Sequence, residues 1–341
     1  NDESYDIKRW SGLGKINKKF NFNDLHLEAD ANMGLDLYSI QGRPPTDSNN
    51  NRYVDRISSG FSIAASHEYS FMTDTTGFIV EPKIQFSSVF SSDRTDEVPN
   101  RDSSEFRLDQ ANLFLNNQFQ GRDNIQENDR INLGITSLVM NKNLGDINFF
   151  IGQSQKLSGT QKNITVANED RQSHVINTID WYPSKMFNFS WFSLYNHHDF
   201  KSDISNFSFT GSVYNWDYGL THKSLDKEFI SDNIDREELT IGLSKNFSNW
   251  KTAYSRTYNL NDGKEELLSE SLIIGYSGST GYMFGNCLTI LLSYKNEENL
   301  GAVDRDLLPE NSINLTFNFR NLGEYTWIPK LPEAIRDMGK F

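Results

Sequence analysis

Apolar and polar residues change places at every step along one stretch of this chain: Ile313, Leu315, Phe317 and Phe319 alternate with Asn314, Thr316, Asn318 and Arg320. A period of two puts one apolar and one hydrated face on a β-strand. The same pattern recurs at Leu288, Ile290, Leu292 and Tyr294 against Cys287, Thr289 and Ser293, and at Leu239, Ile241 and Leu243 against Thr240, Gly242 and Ser244. It appears again at Tyr214, Trp216, Tyr218 and Leu220 against Asn215, Asp217 and Gly219, and at Phe78, Val80, Pro82, Ile84 and Phe86 against Glu81, Lys83 and Gln85. The pattern predicts about fourteen strands, mostly near the roughly 9 to 11 residues that cross a bilayer at the usual tilt.

Composition decides which membrane architecture is possible. With a mean hydropathy of -0.61 and 23% charged residues, the sequence contains no apolar run near the roughly 18 residues of a spanning helix. Helical spans are excluded. A transmembrane β-barrel tolerates such a mean, because every second residue of each crossing faces water. The 24 Phe, 14 Tyr and 6 Trp recur along the whole chain, a distribution that suits aromatic girdles at the two membrane interfaces. A formal charge of -13 argues against a nucleic-acid partner, which needs a concentrated basic surface.

The connections add orientation. From residue 129 onward a short turn at Lys142 to Asp146 is followed by a long loop at Lys156 to Gln172, then a Pro183 turn and a longer connection around His198. Further short turns are expected near Gly211, Phe247 to Asn249 and Ser277 to Met283; the longer connections are Lys223 to Glu237, the Asp262-Gly263 region and Asn296 to Asn311. Outer-membrane barrels have short periplasmic turns and long external loops. The parity therefore predicts an all-β antiparallel transmembrane barrel with its C-terminus in the periplasm. Residues 1–341 read as part of one barrel domain, with 91–128 as a long external loop and 322–341 as a periplasmic tail. Within that loop, alternation of Phe106, Leu108 and Gln110 predicts a short hairpin arm.

A family resemblance enters at the same loop. The run from Leu113-Phe114 through Asn117, Phe119, Gly121 and Asp123 to Gly134 resembles the external-loop motif of the LptD family, the lipopolysaccharide-assembly proteins of the outer membrane. Ile79-Val-Glu-Pro-Lys-Ile-Gln85 is similar to that family's Leu-Glu-Pro strand, and Ile151-Gly-Gln-Ser154 to its Gly-Gln strand end. Asn286-Cys287-Leu288 and Asn321-Leu-Gly323 resemble its cysteine-bearing strand and closing Leu-Gly. The resemblance implies a translocon, with no catalysis, that inserts lipopolysaccharide into the outer leaflet through the barrel lumen and a lateral gate between the first and last strands. It also implies that this chain is the C-terminal part of a larger barrel. The implied partners are lipopolysaccharide, an LptE-like plug lipoprotein, periplasmic lipopolysaccharide-bridge proteins, outer-membrane lipid and the barrel-assembly machinery. A diffusion porin or substrate-specific channel would share the alternation and the parity, and is the alternative.

Other motifs carry less. His197-His198-Asp199 reads as a loop-tip histidine pair, because adjacent strand residues point to opposite faces and cannot converge on a metal. Gly275-Tyr-Ser-Gly-Ser-Thr-Gly281 lacks the lysine of a phosphate cradle and reads as a turn. No catalytic, cofactor or metal residue is assigned. The single cysteine, Cys287, is odd in number, which in an oxidising compartment points to a disulfide partner outside this chain or to a reactive thiol. In the resembled family a cysteine at this point is bonded to the N-terminal domain; a buried free thiol is the other reading. Gel mobility of the full-length protein with and without reductant, against Cys287→Ser, checks this. A reductant-dependent shift in the wild type alone is expected, and its absence removes the tether.

Overall fold

The computed structural model describes residues 6–41, 51–92, 98, 104–105, 108–117, 119–123, 125, 127–159, 172–227, 235–261, 266–278, 288–297, 311–319 and 323–327. The chain divides into two compact units, Asn1–Ile179 with Leu194–Lys201, and Asp180–Ser193 with Ser202–Phe341.

The first unit begins with three strands of 17 residues, β1 (Asp6–Phe22), β2 (Leu25–Gln41) and β3 (Asn51–His67). A four-residue β4 (Tyr69–Met72) continues the line of β3 past Glu68, and both pair with β5 (Thr76–Ser91). After the two-residue strands β6 (Ser104–Glu105) and β7 (Phe119–Gln120), the ladder resumes with β8 (Asp129–Asn141) and β9 (Gly145–Ser158). The pairings β1 to β2, β2 to β3, β3 to β5, β5 to β8 and β8 to β9 are all antiparallel. Next come β10 (Val175–Ser184) and β11 (Phe187–Tyr195). The second unit continues with β12 (Ser202–Val213), β13 (Trp216–Leu225), β14 (Arg236–Phe247), β15 (Trp250–Asn259), β16 (Glu266–Gly278), β17 (Leu288–Glu297), β18 (Asn311–Phe319) and β19 (Gly323–Trp327). From β12 to β19 each pairs antiparallel with the next. Among the described residues fifteen strands have nine residues or more, beside the about fourteen predicted from alternation.

Burial is inverted relative to a soluble sheet. On β2 the apolar row Met33, Leu35, Leu37 is exposed, Met33 at 62%, while the intervening Asp36 and Tyr38 are buried. On β3, Ile57, Phe61 and Ile63 are exposed and Arg56, at 0%, and Ser62 are buried. On β5 and β8, Ile84, Phe86, Leu133 and Ile135 are exposed whereas Gln85, Ser87, Arg130 and Asn132 are buried. A sheet with this polarity is stable only where apolar solvent meets one face and polar groups satisfy each other on the other. In the second unit aromatic rings gather near the short turns: Trp181 stacks on Phe189 (centroids 5.1 Å), Phe189 meets Phe209 (4.7 Å), Phe209 meets Tyr218 (5.7 Å) and Trp250 meets Tyr276 (4.8 Å). Such girdles mark a membrane interface.

Four expectations change. Tyr214 and Asn215 belong to no strand; they form the two-residue turn between β12 and β13, both at positive φ (49° and 65°), as a twisted hairpin demands. Gly275 to Gly278 lie inside β16, because the apolar row Leu272, Ile274, Tyr276 carries the strand past the glycines; residues 279–281 lie outside the described residues. Of the short turn expected at Ser277 to Met283, Ser277 and Gly278 belong to β16 and 279–283 lie outside the described residues. The segment 322–341, expected to be a tail, contains β19, whose Gly323 to Trp327 pair with Phe319 to Leu315. Cys287 precedes the first residue of β17 and lies outside the described residues, as do Phe106, the side chain of Phe119, and the side chains of Phe317 and Asn318.

The two faces of β2 make a direct test. Met33→Arg puts a charge on the apolar face near mid-strand, where it costs about 2–4 kcal/mol at the bilayer midplane, while a charge on the hydrated face costs much less. Outer-membrane assembly, read by heat-modifiable gel mobility, should fall sharply for Met33→Arg and stay near wild type for Asn32→Arg. Equal damage from both would remove the assignment of faces.

Candidate functional site

The segment between β5 and β8 is the largest connection in the first unit, and its described part folds back onto the buried polar face. Two arginines hold it. On β3, Arg56 sits opposite Asp36 in the β2–β3 register. Its Nη2 donates to Asp36 Oδ2 (2.8 Å), to the Tyr38 hydroxyl (3.0 Å) and to the Arg122 carbonyl, and its Nη1 donates to the Asp123 carbonyl (2.5 Å). The Asp123 carboxylate in turn accepts from Arg9 Nη1 (2.9 Å) and from the Tyr38 hydroxyl (3.2 Å). Strand alternation explains the convergence, since Arg9, Tyr38 and Arg56 are cross-strand neighbours or diagonals on one face of β1, β2 and β3. A buried guanidinium needs partners for its fork of donors, and carbonyls and carboxylates are the groups that fit it.

The second anchor lies at the base of β8. Arg130 Nη2 donates to the carbonyls of Leu115 and Asn116, the latter at 2.9 Å. Gln85 Nε2 donates to the Phe114 carbonyl (2.9 Å), Asn132 Nδ2 to Gln85 Oε1 (2.8 Å) and Ser154 Oγ to Asn132 Oδ1 (2.6 Å), so one chain of hydrogen bonds runs from the segment across β5, β8 and β9. Between the polar anchors the Leu113-Phe114 pair docks over a cross-strand glycine pair. Gly134 and Gly152 are direct partners in the β8–β9 ladder. A Cβ at Gly152 would come within 2.6 Å of Leu113 and one at Gly134 within 2.9 Å of the Phe114 ring. Only glycine leaves room for this approach. The Lys83 ammonium lies 4.7 Å from the centre of the Phe114 ring.

Of the loop residues singled out from the sequence, Asp123 is buried in the Arg56 cluster and Gly121 takes a left-handed backbone (φ 88°) that turns the chain toward it. Asn117 is half-buried, and Phe119 pairs by its backbone with Glu105 in the β6–β7 ladder. Of the expected hairpin arm, Leu108 and Gln110 lie outside any strand, and Phe106 lies outside the described residues. Arg56, Asp36, Tyr38 and Arg130 escaped sequence reasoning. Their signal was charged or large polar residues at the hydrated positions of otherwise regular strands. His197 and His198 lie in the connection between β11 and β12, with ring centroids 3.8 Å apart.

A cavity of about 530 Å³ lies between the folded-back segment and the strands. Lys15, Asn17, Glu28, Asp30, Asn32 and Lys83 contribute to its walls, and Asn116, Asn117, Gly121 and Arg122 face it from the segment. Its lining joins apolar surface from Leu13, Val89, Phe114 and Leu115 to groups of both charges, with Lys15 Nζ 3.2 Å from Asp30 and Asn17 Nδ2 2.7 Å from Glu28.

A sheet that exposes its apolar rows, buries its polar rows and ends in aromatic belts defines an outer-membrane β-sheet protein. The family model of LptD, described as LPS transport system D, matches residues 1–226. The chain belongs to the LptD family. A search of curated proteins found no match. Solved structures similar to the chain include P. aeruginosa FpvA bound to pyoverdine (TM-score 0.37, 12% identity, 93% of this chain and 49% of that one) and a mutant Rh. blastica porin (TM-score 0.33, 13% identity, 80% and 94%). Acinetobacter baumannii OccAB4 is a further one (TM-score 0.31, 10% identity, 89% and 95%). The chain spans about half the length of the FpvA chain.

Removing Arg56 leaves Asp36 and the Asp123 site buried without their cation, a loss of about 3–5 kcal/mol for a broken buried pair. Arg56→Ala should therefore release the segment, read as rapid protease cleavage between Leu113 and Asn128 in the assembled protein. Arg9→Ala, at a more exposed position, should be cleaved more slowly. Wild-type cleavage as fast as that of Arg56→Ala would show that the anchor holds nothing.

Proposed function

We propose that this chain lines the path of an outer-membrane translocon that inserts lipopolysaccharide into the outer leaflet. In this reading the sheet closes into a barrel together with further strands, the polar face lines its lumen, and the C-terminus lies in the periplasm. The long connections, including 91–128, are then external. The observation that carries the reading is the Leu113–Asn128 segment fixed on the polar face by Arg56 and Arg130, with a cavity left beside it. A diffusion pore needs a continuous open passage; a translocon for an amphipathic lipid needs a hydrated groove for sugars and phosphates and a way out for acyl chains. Mixed charge suits the first requirement, because sugar hydroxyls pair with carboxylates and amides, and phosphates with Lys15, Lys83 and Arg122. Acyl chains must leave sideways through a seam between strands, since backbone groups cannot stay unpaired in hydrocarbon.

Family membership supports the substrate, an LptE-like plug, periplasmic bridge proteins and the assembly machinery as partners. In the same reading Cys287, which lies beyond the matched residues 1–226, is the tether to an N-terminal domain, and Asn117, Phe119, Gly121 and Asp123 are the loop's functional residues. The test is photo-crosslinking in cells that carry the full-length protein, with the probe at Asn32 on the cavity wall. Lipopolysaccharide adducts are expected there, together with near-zero steady conductance of the purified protein in planar bilayers. Steady porin-like conductance without adducts would favour the substrate-specific channel instead.

A further inference from the structure

On the polar face of the first unit one region departs from the alternation. The runs Phe78-Ile79-Val80 on β5, Leu138-Val139-Met140 on β8 and Phe149-Phe150-Ile151 on β9 are apolar at every position. Such a run on a strand implies apolar surroundings on both faces. The register assigns the inward members. Ile79 lies opposite Leu138, Phe150 opposite Thr136, and Met72 on β4 and Met140 on β8 both lie opposite Gly77. They share a face with Gln85 and Asn132, which stand farther from the short turns on the same ladder.

The side chains close into one patch. A Cβ at Gly77 would come within 3.0 Å of the Met140 methyl and 3.7 Å of the Met72 methyl, so the two thioether ends cover the glycine from the inward side. At the other end the rings of Phe114 and Phe150 both stand over Gly134, 2.9 and 3.0 Å from where a Cβ would be. On β8 only Thr136 interrupts the inward row between Gly134 and Met140, and Phe150 lies opposite it. Glu81 on β5 and Asn148 on β9 form polar edges. Runs of three also occur at Leu272 to Ile274 on β16 and Ile290 to Leu292 on β17, but there the inward Ile273 and Leu291 lie opposite Ser293 and Gly275 and make no apolar rung.

Exposed apolar side chains suit a face that meets lipid, and on the hydrated face they need another partner. Met72 is 76% exposed, and Ile79, Leu138 and Met140 are half-buried. An apolar patch left open among polar groups marks a binding surface. Its upper end shows which ligand fits: Lys83 lies opposite Gly134, beside the Phe114 ring, and lines the cavity together with Lys15 and Arg122. Cations at one end and apolar side chains below them match an amphiphile with an anionic head. From Gly134 to Met140 the strand rises about 20 Å at roughly 3.3 Å per residue, room for a chain that fills one leaflet, about 15 Å. Methionine suits such a chain, because its flexible thioether adapts to partners of varied shape.

We propose that the patch of Met72, Ile79, Leu138, Met140 and Phe150 seats an acyl chain of the lipopolysaccharide on the polar face, with a phosphate of the same molecule at Lys83, before the chain leaves sideways. The inference rests on the translocon reading above and deepens it.

The test is photo-crosslinking with the probe at Leu138, in cells that carry the full-length protein. Lipopolysaccharide adducts are expected, with the new bond on an acyl carbon by mass spectrometry, and they should disappear when the supply of lipopolysaccharide from the periplasm is stopped. A probe at Val139, on the outward face, should keep its lipid adducts through the same arrest. Ile79→Asn with Met140→Gln should lower the adduct yield at Leu138 about tenfold, with heat-modifiable gel mobility as in the wild type. Four results overturn the acyl seat alone: adducts at Asn32 without any at Leu138, adducts at Leu138 that persist through the arrest, a phospholipid or a protein captured in their place, and a yield unchanged by the double substitution. Absence of lipopolysaccharide adducts at both Asn32 and Leu138 overturns the translocon reading, and the seat with it.

Discussion

A backbone in hydrocarbon has no water to pair with, so each N–H and C=O must find a partner within the protein. The long antiparallel ladders meet that demand, and much of the rest of the structure depends on it. Once the strands are committed to the ladder, side chains have only two directions, and the surrounding phases decide which residues take each. Apolar rows such as Met33, Leu35 and Leu37 go outward, and Asp36, Tyr38 and Arg56 are left together on the other face. A soluble sheet with this distribution would bury charge and expose grease on both counts.

The buried polar face is workable because its members satisfy one another and the returning segment. Arg56 and Arg130 supply donors that main-chain carbonyls of the segment accept, so an irregular stretch of backbone is held where it would otherwise leave unpaired groups. The glycine pair Gly134 and Gly152 works in the opposite sense, by removing side chains so that Leu113 and Phe114 can approach. Polar clamp and steric vacancy act on neighbouring residues of the same segment. That is why the Leu-Phe, Gly-Asp and strand-glycine signatures, separated along the chain, make one site.

The outward face has a logic of its own. Aromatic rings near the turns, and Lys245 lying over two of them, form the kind of belt that meets a membrane interface. The upper limit is set strand by strand, by the point at which a charged or amide side chain first replaces an apolar one. Those limits differ from strand to strand, as between β2, whose apolar row runs from Leu25 to Leu37, and β9, where Gln153 follows Ile151, because nothing in the ladder requires equal apolar length; hydrogen bonding constrains register, and side-chain chemistry constrains depth.

Alternation by itself determined that the chain makes antiparallel strands with one hydrated and one apolar face, because a period of two is a local property of consecutive residues. Turn chemistry was legible where it is local too, as at Lys142 to Asp146. It failed at Tyr214-Asn215, where two non-glycine residues take positive φ under the twist of the hairpin, and at Gly275 to Gly278, where pairing with β15 and β17 keeps glycines inside a strand. The loop motif was visible as a string containing Gly121 and Asp123, yet nothing in it named Arg56, which lies 67 residues before Asp123. Only the tertiary structure decided that pairing, since which strand faces a returning loop depends on the register of several ladders at once and not on any neighbouring residue.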